Sequence, residues 1–337
     1  MSAATPLPDA ASSYPRLVAD IGGTNARFGW LAAPGAAAAH VKKLAVPGYP
    51  APADAARAYL AGLSAELGSA YSAPRQAAIA VATAVVGDRV SFTNSHWTFS
   101  RQALQDELGL QGLQVLNDFE ALALALPHLG AGQLRPHGAL PQPHGTLAVI
   151  GPGTGLGVGG VVQTPQGWQA LAGEGGHSTL APGDDFESEI LRAVRKAFDH
   201  VSAERLLSGI GLPVLHRAVA EVLGRPVAEP WTAEQIMDRG LAGADEAASR
   251  SLDAFCSLLG GFAGNVALVL GARGGIYIGG GIVPRMEERF FASAFRARFE
   301  AKGRFRAYLE AIPTALITDT LVALIGAAAA IEQETGC

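Results

Sequence analysis

Apolar residues recur along this chain in two rhythms. The runs "RLVAD", "QAAIAVATAV", "LQVLND", "TLAVI" and "GGIYIGG" are short, almost continuously apolar and bounded by turn formers, as strands buried on both faces are. Between them, "PADAARAYLAGLSAEL" has helical periodicity, "SRQALQDELG" opens on a Ser cap, and "FEALALAL" follows a strand as a helix would. Further helices are predicted at about 184–199, 203–208, 213–223, 232–240 and 244–272, and a last one, rich in small residues, at 318–335. Two segments, "RLVADIGGTNARFGWLA" and the stretch from 147 to 162, both read as strand, glycine turn, strand, and the repetition points to an internal duplication. From Pro127 to His144 the chain is rich in Gly, Pro and His and reads as a linker or surface loop. The pattern is α/β in both halves.

Composition narrows the partners more than the fold. The 337 residues suffice for two domains, and 49% hydrophobic with 16% charged residues describes a globular chain. A net charge of -5 without a block of like charges offers nothing general to nucleic acid or to an anionic membrane, so small molecules are the expected partners, and a homodimer is left open. Two cysteines, Cys256 and Cys337, make neither a disulfide framework nor a zinc site, which fits a cytoplasmic protein. Residues 1–15 lack the basic and apolar regions of a signal peptide and read as a mobile tail, and the apolar run 321–331 is too short to cross a bilayer.

The densest glycine stretch is "GPGTGLGVGG", residues 151–160. Its G-x-G-x-x-G spacing at Gly155, Gly157 and Gly160 follows a strand but does not open a helix, and no Gly-Lys-Ser/Thr closes it. What remains is a turn between strands whose amides could form an anion-binding nest.

"DIGGTNAR", "TNSHW", "VLNDFEALA", "GPGTGLG", "GEGGH", "VSAERLLSG" and "GGIYIGGGIVPR" stand in this order through residues 16–335, and together they resemble the bacterial ATP-dependent glucokinase family, in its branch without zinc-binding cysteines. The resemblance implies a two-domain actin/hexokinase-like, ribonuclease H-like α/β fold with the ligand cleft between domains: a small domain of 16–127 plus 318–337 and a large domain of 128–317, with the tail at 1–15 the one feature the family does not explain. It implies transfer of the γ-phosphoryl group of ATP, with Mg²⁺, to the 6-hydroxyl of glucose.

Each motif also has a plainer reading. Asp20, Gly22, Gly23, Thr24 and Asn25 could be an ordinary hairpin; the family implies that they face the phosphates, with Asp20 toward Mg²⁺ through water, as suits a cation that keeps part of its hydration shell. Gly151, Gly153, Thr154, Gly155 and Gly157 are either a glycine-rich surface loop or a phosphate turn that no inward Cβ could share. Gly279, Gly280 and Gly281 are a strand-end turn or the family's adenosine motif. Asn117 with Glu120 forms a plausible capping box, whereas the family assigns Asp118 as general base and both Asn117 and Asp118 as sugar ligands. Asn94 is a turn residue or a sugar ligand; of four asparagines in the chain, three fall inside these motifs. Glu174 and His177 could be half of a metal site, although no matching ligands recur nearby, and Glu204 sits where a first helical turn favours glutamate. The family makes Glu174, His177 and Glu204 sugar ligands, a set that would reject sugars lacking the matching hydroxyls. Alternatives to a glucose kinase are a kinase for mannose or fructose, a sugar-sensing regulator, and an actin-like ATPase.

Overall fold

The buried apolar runs become the centres of two sheets. A computed structural model describes residues 14–92, 95–225 and 229–334. These form two compact units, Met1–His128 with Thr320–Cys337, and Leu129–Asp319. Asn94 and Cys337 lie outside the described residues, as does the expected tail up to residue 13. Tyr14, at the end of that tail, donates from its hydroxyl to Glu332 Oε1 at 2.9 Å.

In the first unit, β1 (Arg16–Ile21), β2 (Asn25–Leu31), β3 (Ala39–Ala45) and β4 (Gln76–Val81) are followed by a small ladder of β5 (Arg89–Ser91) with β6 (Thr98–Ser100), and then by β7 (Gly112–Asn117). The main sheet runs β3-β2-β1-β4-β7, with β1, β4 and β7 parallel and β2 and β3 antiparallel. Leu17, Val18, Ala19 and Ile21 of β1 are fully buried, which is why that strand shows no alternation. Helix α1 (Pro52–Leu67) covers the sheet with Ala56, Tyr59 and Leu63, spaced for one helical face. Helix α2 (Arg101–Glu107) starts where Ser100 accepts a hydrogen bond from Ala103 N, and α3 (Asp118–Ala125) starts where β7 ends.

In the second unit, β8 (Leu134–His137), β9 (Thr146–Pro152), β10 (Leu156–Thr164), β11 (Gly167–Leu171), β12 (Gly275–Ile278) and β13 (Thr314–Ile317) are ordered β11-β10-β9-β12-β13-β8. Its first five positions repeat the first sheet: an antiparallel meander whose opening strand pairs in parallel with a later one, which pairs in parallel with another. Between β11 and β12 lie α4 (Asp185–Val194), α5 (Leu212–Val222), α6 (Ala233–Leu241) and α7 (Glu246–Leu270); between β12 and β13 lie α8 (Glu287–Ala292), α9 (Phe295–Glu300) and α10 (Arg306–Glu310). Asp245 caps α7 by accepting from Ala248 N, and the left-handed Gly271 ends it. Among the described residues α7 is the one helix long and apolar enough to cross a bilayer, and 67% of its apolar window is buried within the fold, as in a core helix. It carries Cys256, whose thiol burial pushes up to about 12.

Helix α11 (Val322–Glu334) belongs to the first unit and packs on α3, β1 and β4. A Cβ at Gly326 would fall well inside contact distance of Ala121 O in α3, so the small residues of this helix are what let two backbones meet.

Three expectations change. Residues 203–208 form turns rather than a helix; Leu206 and Leu207 enter the core, while Gly209 and Ile210 turn their amides to another segment. The passage from Pro127 to His144 contains β8, an edge strand that tolerates Pro136. The predicted helix 184–199 ends at Val194.

Candidate active site

In the first unit the chemistry gathers at the carboxyl ends of the parallel strands, where ligands of open α/β sheets are held. At β1, Asp20 lies directly across the hairpin from Arg27, and Arg27 Nη1 donates to Asp20 Oδ2 at 3.1 Å. Burial pushes the Asp20 carboxyl upward, and the guanidinium opposes that shift. The next residues make a tight turn in which Gly22 N donates to Asn25 O at 2.9 Å and Thr24 O accepts from Val46 N at 2.9 Å. Thr24 is exposed, and Asn25 Nδ2 donates to its hydroxyl at 3.2 Å. Arg27 holds one Asp20 oxygen and, among the described residues, no other side chain is bonded to the second, so the donor set fits a hard cation held through water.

At β7, Asn117 is the N-cap of α3. Its Oδ1 accepts from Phe119 N at 2.9 Å and its Nδ2 donates to Thr83 O at 3.1 Å, so the cap closes without the expected box to Glu120. Asp118 is the first residue of α3, and its Oδ1 also accepts from Phe119 N at 2.9 Å. Its carboxyl is pushed from 3.8 up to about 6, first by burial; the Phe119 amide pulls it down, and the charge of Asp20 pushes it up. That charge is near because Asp20, Ala80 and Leu116 stand in register on β1, β4 and β7. The span is about 10 Å over two strand spacings.

In the second unit, β9 and β10 are joined by Gly153, Thr154 and Gly155, with Gly151 opposite Gly157 and with Gly153 N donating to Gly155 O at 2.9 Å. None of these glycines is in the left-handed region. At Gly155 the need is for approach: an added Cβ would lie 2.5 Å from Glu204 Oε2. The expected inward neighbour of this glycine is a phosphate; the side chain that stands closest in the structure is a carboxylate, and Glu204 Oε2 accepts from Leu156 N at 2.9 Å. The loop carrying Glu174 and His177 lies against β10, where a Cβ at Gly176 would strike Leu156 O. His177 is exposed, with Nδ1 3.9 Å from Glu204 Oε1, and Glu174 is exposed at the start of the loop, its carbonyl accepting from His177 N at 3.0 Å. Gly279, Gly280 and Gly281 follow β12, and Gly279 N donates to Ile150 O at 2.9 Å; Gly280, at φ 75, has no room for a Cβ against Pro152 O. Among the described residues no group of three or more His, Cys, Asp or Glu could hold a metal ion. A cavity of about 650 Å³ occupies the other end of this sheet, beside His144, Arg273 and Pro313, which precede β9, β12 and β13.

The cap at 117–118, the turn at 151–157 and the loop at 174–177 thus follow one another along a chain whose two sheets share a topology, and the glucokinase family model matches residues 17–334. The chain belongs to the glucokinase family. The glucokinase of Chromobacterium violaceum is 50% identical over 326 residues, covering 96% of this chain and 90% of that protein. The glucokinase of Aromatoleum aromaticum is 46% identical over 329 residues, with 96% and 98% covered. Among solved structures, a glucokinase from an Antarctic psychrotroph superposes with a TM-score of 0.87 at 37% identity, over 94% of this chain and 98% of that one. The actin/hexokinase-like α/β fold expected from the sequence is the fold of this glucokinase-family chain.

Sequence reasoning missed Arg27, Thr83 and the Leu156 amide. Arg27 was within reach, because a two-residue turn at Gly23 and Thr24 places residue 27 opposite residue 20. Thr83 and Leu156 carried no local signal: each acts through its backbone on a residue 34 or 48 positions away.

Proposed function

We propose that this glucokinase-family protein transfers the γ-phosphoryl group of MgATP to the 6-hydroxyl of D-glucose, giving glucose 6-phosphate and ADP. The observation that carries the reading is Asp118: a part-buried carboxyl at a helix start, its Oδ1 on Phe119 N and its pKa raised to about 6, is ionised at neutral pH yet basic enough to take a proton from the attacking hydroxyl. Asn117, fixed by its own cap bonds and hydrogen-bonded to the Asp118 carboxyl, would present the second lone pair of its Oδ1 to a sugar hydroxyl. Asn94, Glu174, His177 and Glu204 complete the proposed sugar set. Thr24, Asn25 and the amides of Gly22, Gly23, Gly151, Gly153, Thr154, Gly155 and Gly157 would meet phosphate oxygens, and Gly279, Gly280 and Gly281 the adenosine. Asp20 would hold Mg²⁺ through water, and the bound ion would neutralise charge on the transferring group. The reading places the protein in the cytoplasm, with glucose and ATP as its partners.

The test is ATP-dependent phosphorylation across glucose, mannose and fructose, with Asp118→Ala alongside. Glucose should lead in kcat/KM, and the variant should lose turnover while still binding ATP. A preference for another hexose would move the substrate assignment, and activity in Asp118→Ala within about tenfold of wild type would remove the general base.

A further inference from the structure

One segment grips the whole turn between β9 and β10. Gly209 N donates to Gly153 O at 2.8 Å, Ile210 N to Thr154 O at 3.3 Å, and Leu156 N donates to Glu204 Oε2 at 2.9 Å. The same residue also holds the neighbouring loop, since Glu204 N donates to Gly176 O at 2.9 Å and Glu204 Oε1 lies 3.9 Å from His177 Nδ1. One carboxylate therefore has an oxygen on the glycine turn and an oxygen toward the loop of Glu174 and His177. Gly155 is what admits it, because a Cβ there would occupy the place of Oε2.

We infer that Glu204 is a positioning residue that couples the two ligands: it fixes the phosphate turn through Leu156 N while its other oxygen receives the sugar. This rests on the function proposed above. A turn containing two glycines among three residues has many backbone states, and a ligand that must select one of them binds more weakly. The Leu156 bond selects that state beforehand. Sugar hydroxyls donating to Oε1 then hold the carboxylate in place and spread its charge, so glucose strengthens nucleotide binding. By linkage, nucleotide strengthens glucose binding by the same factor.

The test is calorimetric binding of a non-hydrolysable ATP analogue with Mg²⁺, first in sugar-free buffer. Glu204→Ala should weaken the analogue on the order of tenfold although no sugar is present, because the turn has lost a bond to a charged acceptor. Glu204→Gln keeps an oxygen for Leu156 N and should stay within about threefold of wild type. In the reverse direction, Gly155→Ala should weaken glucose measured without nucleotide, because the new Cβ displaces Oε2. Wild-type nucleotide affinity in Glu204→Ala without sugar makes Glu204 a sugar ligand only and overturns the inference. Should Glu204→Ala fail to fold, unchanged glucose affinity in Gly155→Ala overturns it equally. A wild-type protein that binds no nucleotide would instead sink the kinase reading.

Discussion

Replacing Asp118 by Asn should abolish turnover and stabilise the fold. In the unfolded chain this carboxyl titrates near 3.8, and in the folded chain burial and the Asp20 charge raise it to about 6. A group whose pKa rises on folding favours the folded state below the unfolded pKa and loses that contribution as pH climbs through the folded one. One pKa unit is worth about 1.4 kcal/mol, so the native carboxylate costs about 3 kcal/mol above pH 7. Asn keeps an oxygen that accepts from Phe119 N and carries no charge to bury, so the variant escapes this cost. The stability difference between Asp118→Asn and wild type should be small near pH 4, grow through pH 5 and 6, and level off above about pH 7. Hydrogen exchange of amides in β7 and α3 reads the first unit by itself, and urea unfolding at each pH gives the companion value. A difference that stays constant with pH, or that favours the wild type at pH 7.5, would refute the argument that this carboxylate is held ionised against its surroundings.

The same group sets a rate profile: kcat/KM for glucose should rise with pH through about 6, because only the ionised Asp118 can accept the proton, and a flat profile between pH 5 and 7 would count against it. Arg27→Gln should raise the Mg²⁺ concentration needed for half-maximal rate, by freeing Asp20 to turn away; an unchanged metal dependence would leave Arg27 a purely structural partner. Gly326→Ala should lower the melting temperature of the first unit sharply, since the new methyl meets the Ala121 carbonyl rather than a side chain that can move, at a cost of about 1–3 kcal/mol or more. A variant that melts with wild type would show that α3 and α11 can part at little cost.

The sequence carried the site as far as chemistry is local. Strands ending in glycine, an Asn-Asp pair before a helix and a Glu-Gly-Gly-His loop can be read from neighbours along the chain. Partnerships across the sheet were less visible: Asp20 with Arg27 needs the hairpin register, and Glu204 with Leu156 needs two segments to fold together. The short helices α8, α9 and α10 span five or six residues each, too few for a period to show. Leu206 and Leu207 look helical because both are apolar and adjacent to polar positions, but a single turn suffices to bury them. Strand β8 was hidden by Pro136, which an edge strand tolerates and a central one would not.

The two sheets share a five-strand order, yet they close at different moments in the life of the chain. Every strand and helix of the second unit comes from Leu129–Asp319, so once those residues have left the ribosome its core is complete. The first unit begins earlier and finishes later. Arg16, fully buried at the start of β1, donates to Ile331 O at 3.0 Å, a partner synthesised 315 residues afterwards, and Val18 and Ala78 are covered by Leu324, Ala327 and Ile331 of α11. Through most of translation, at about 5–20 residues per second, one face of that first sheet is exposed apolar surface. Once Asp319 has emerged and until α11 follows it, the chain therefore presents chaperones with a finished second unit and an uncovered first one, and the thirteen residues of α11 convert the binding face for a chaperone into a core.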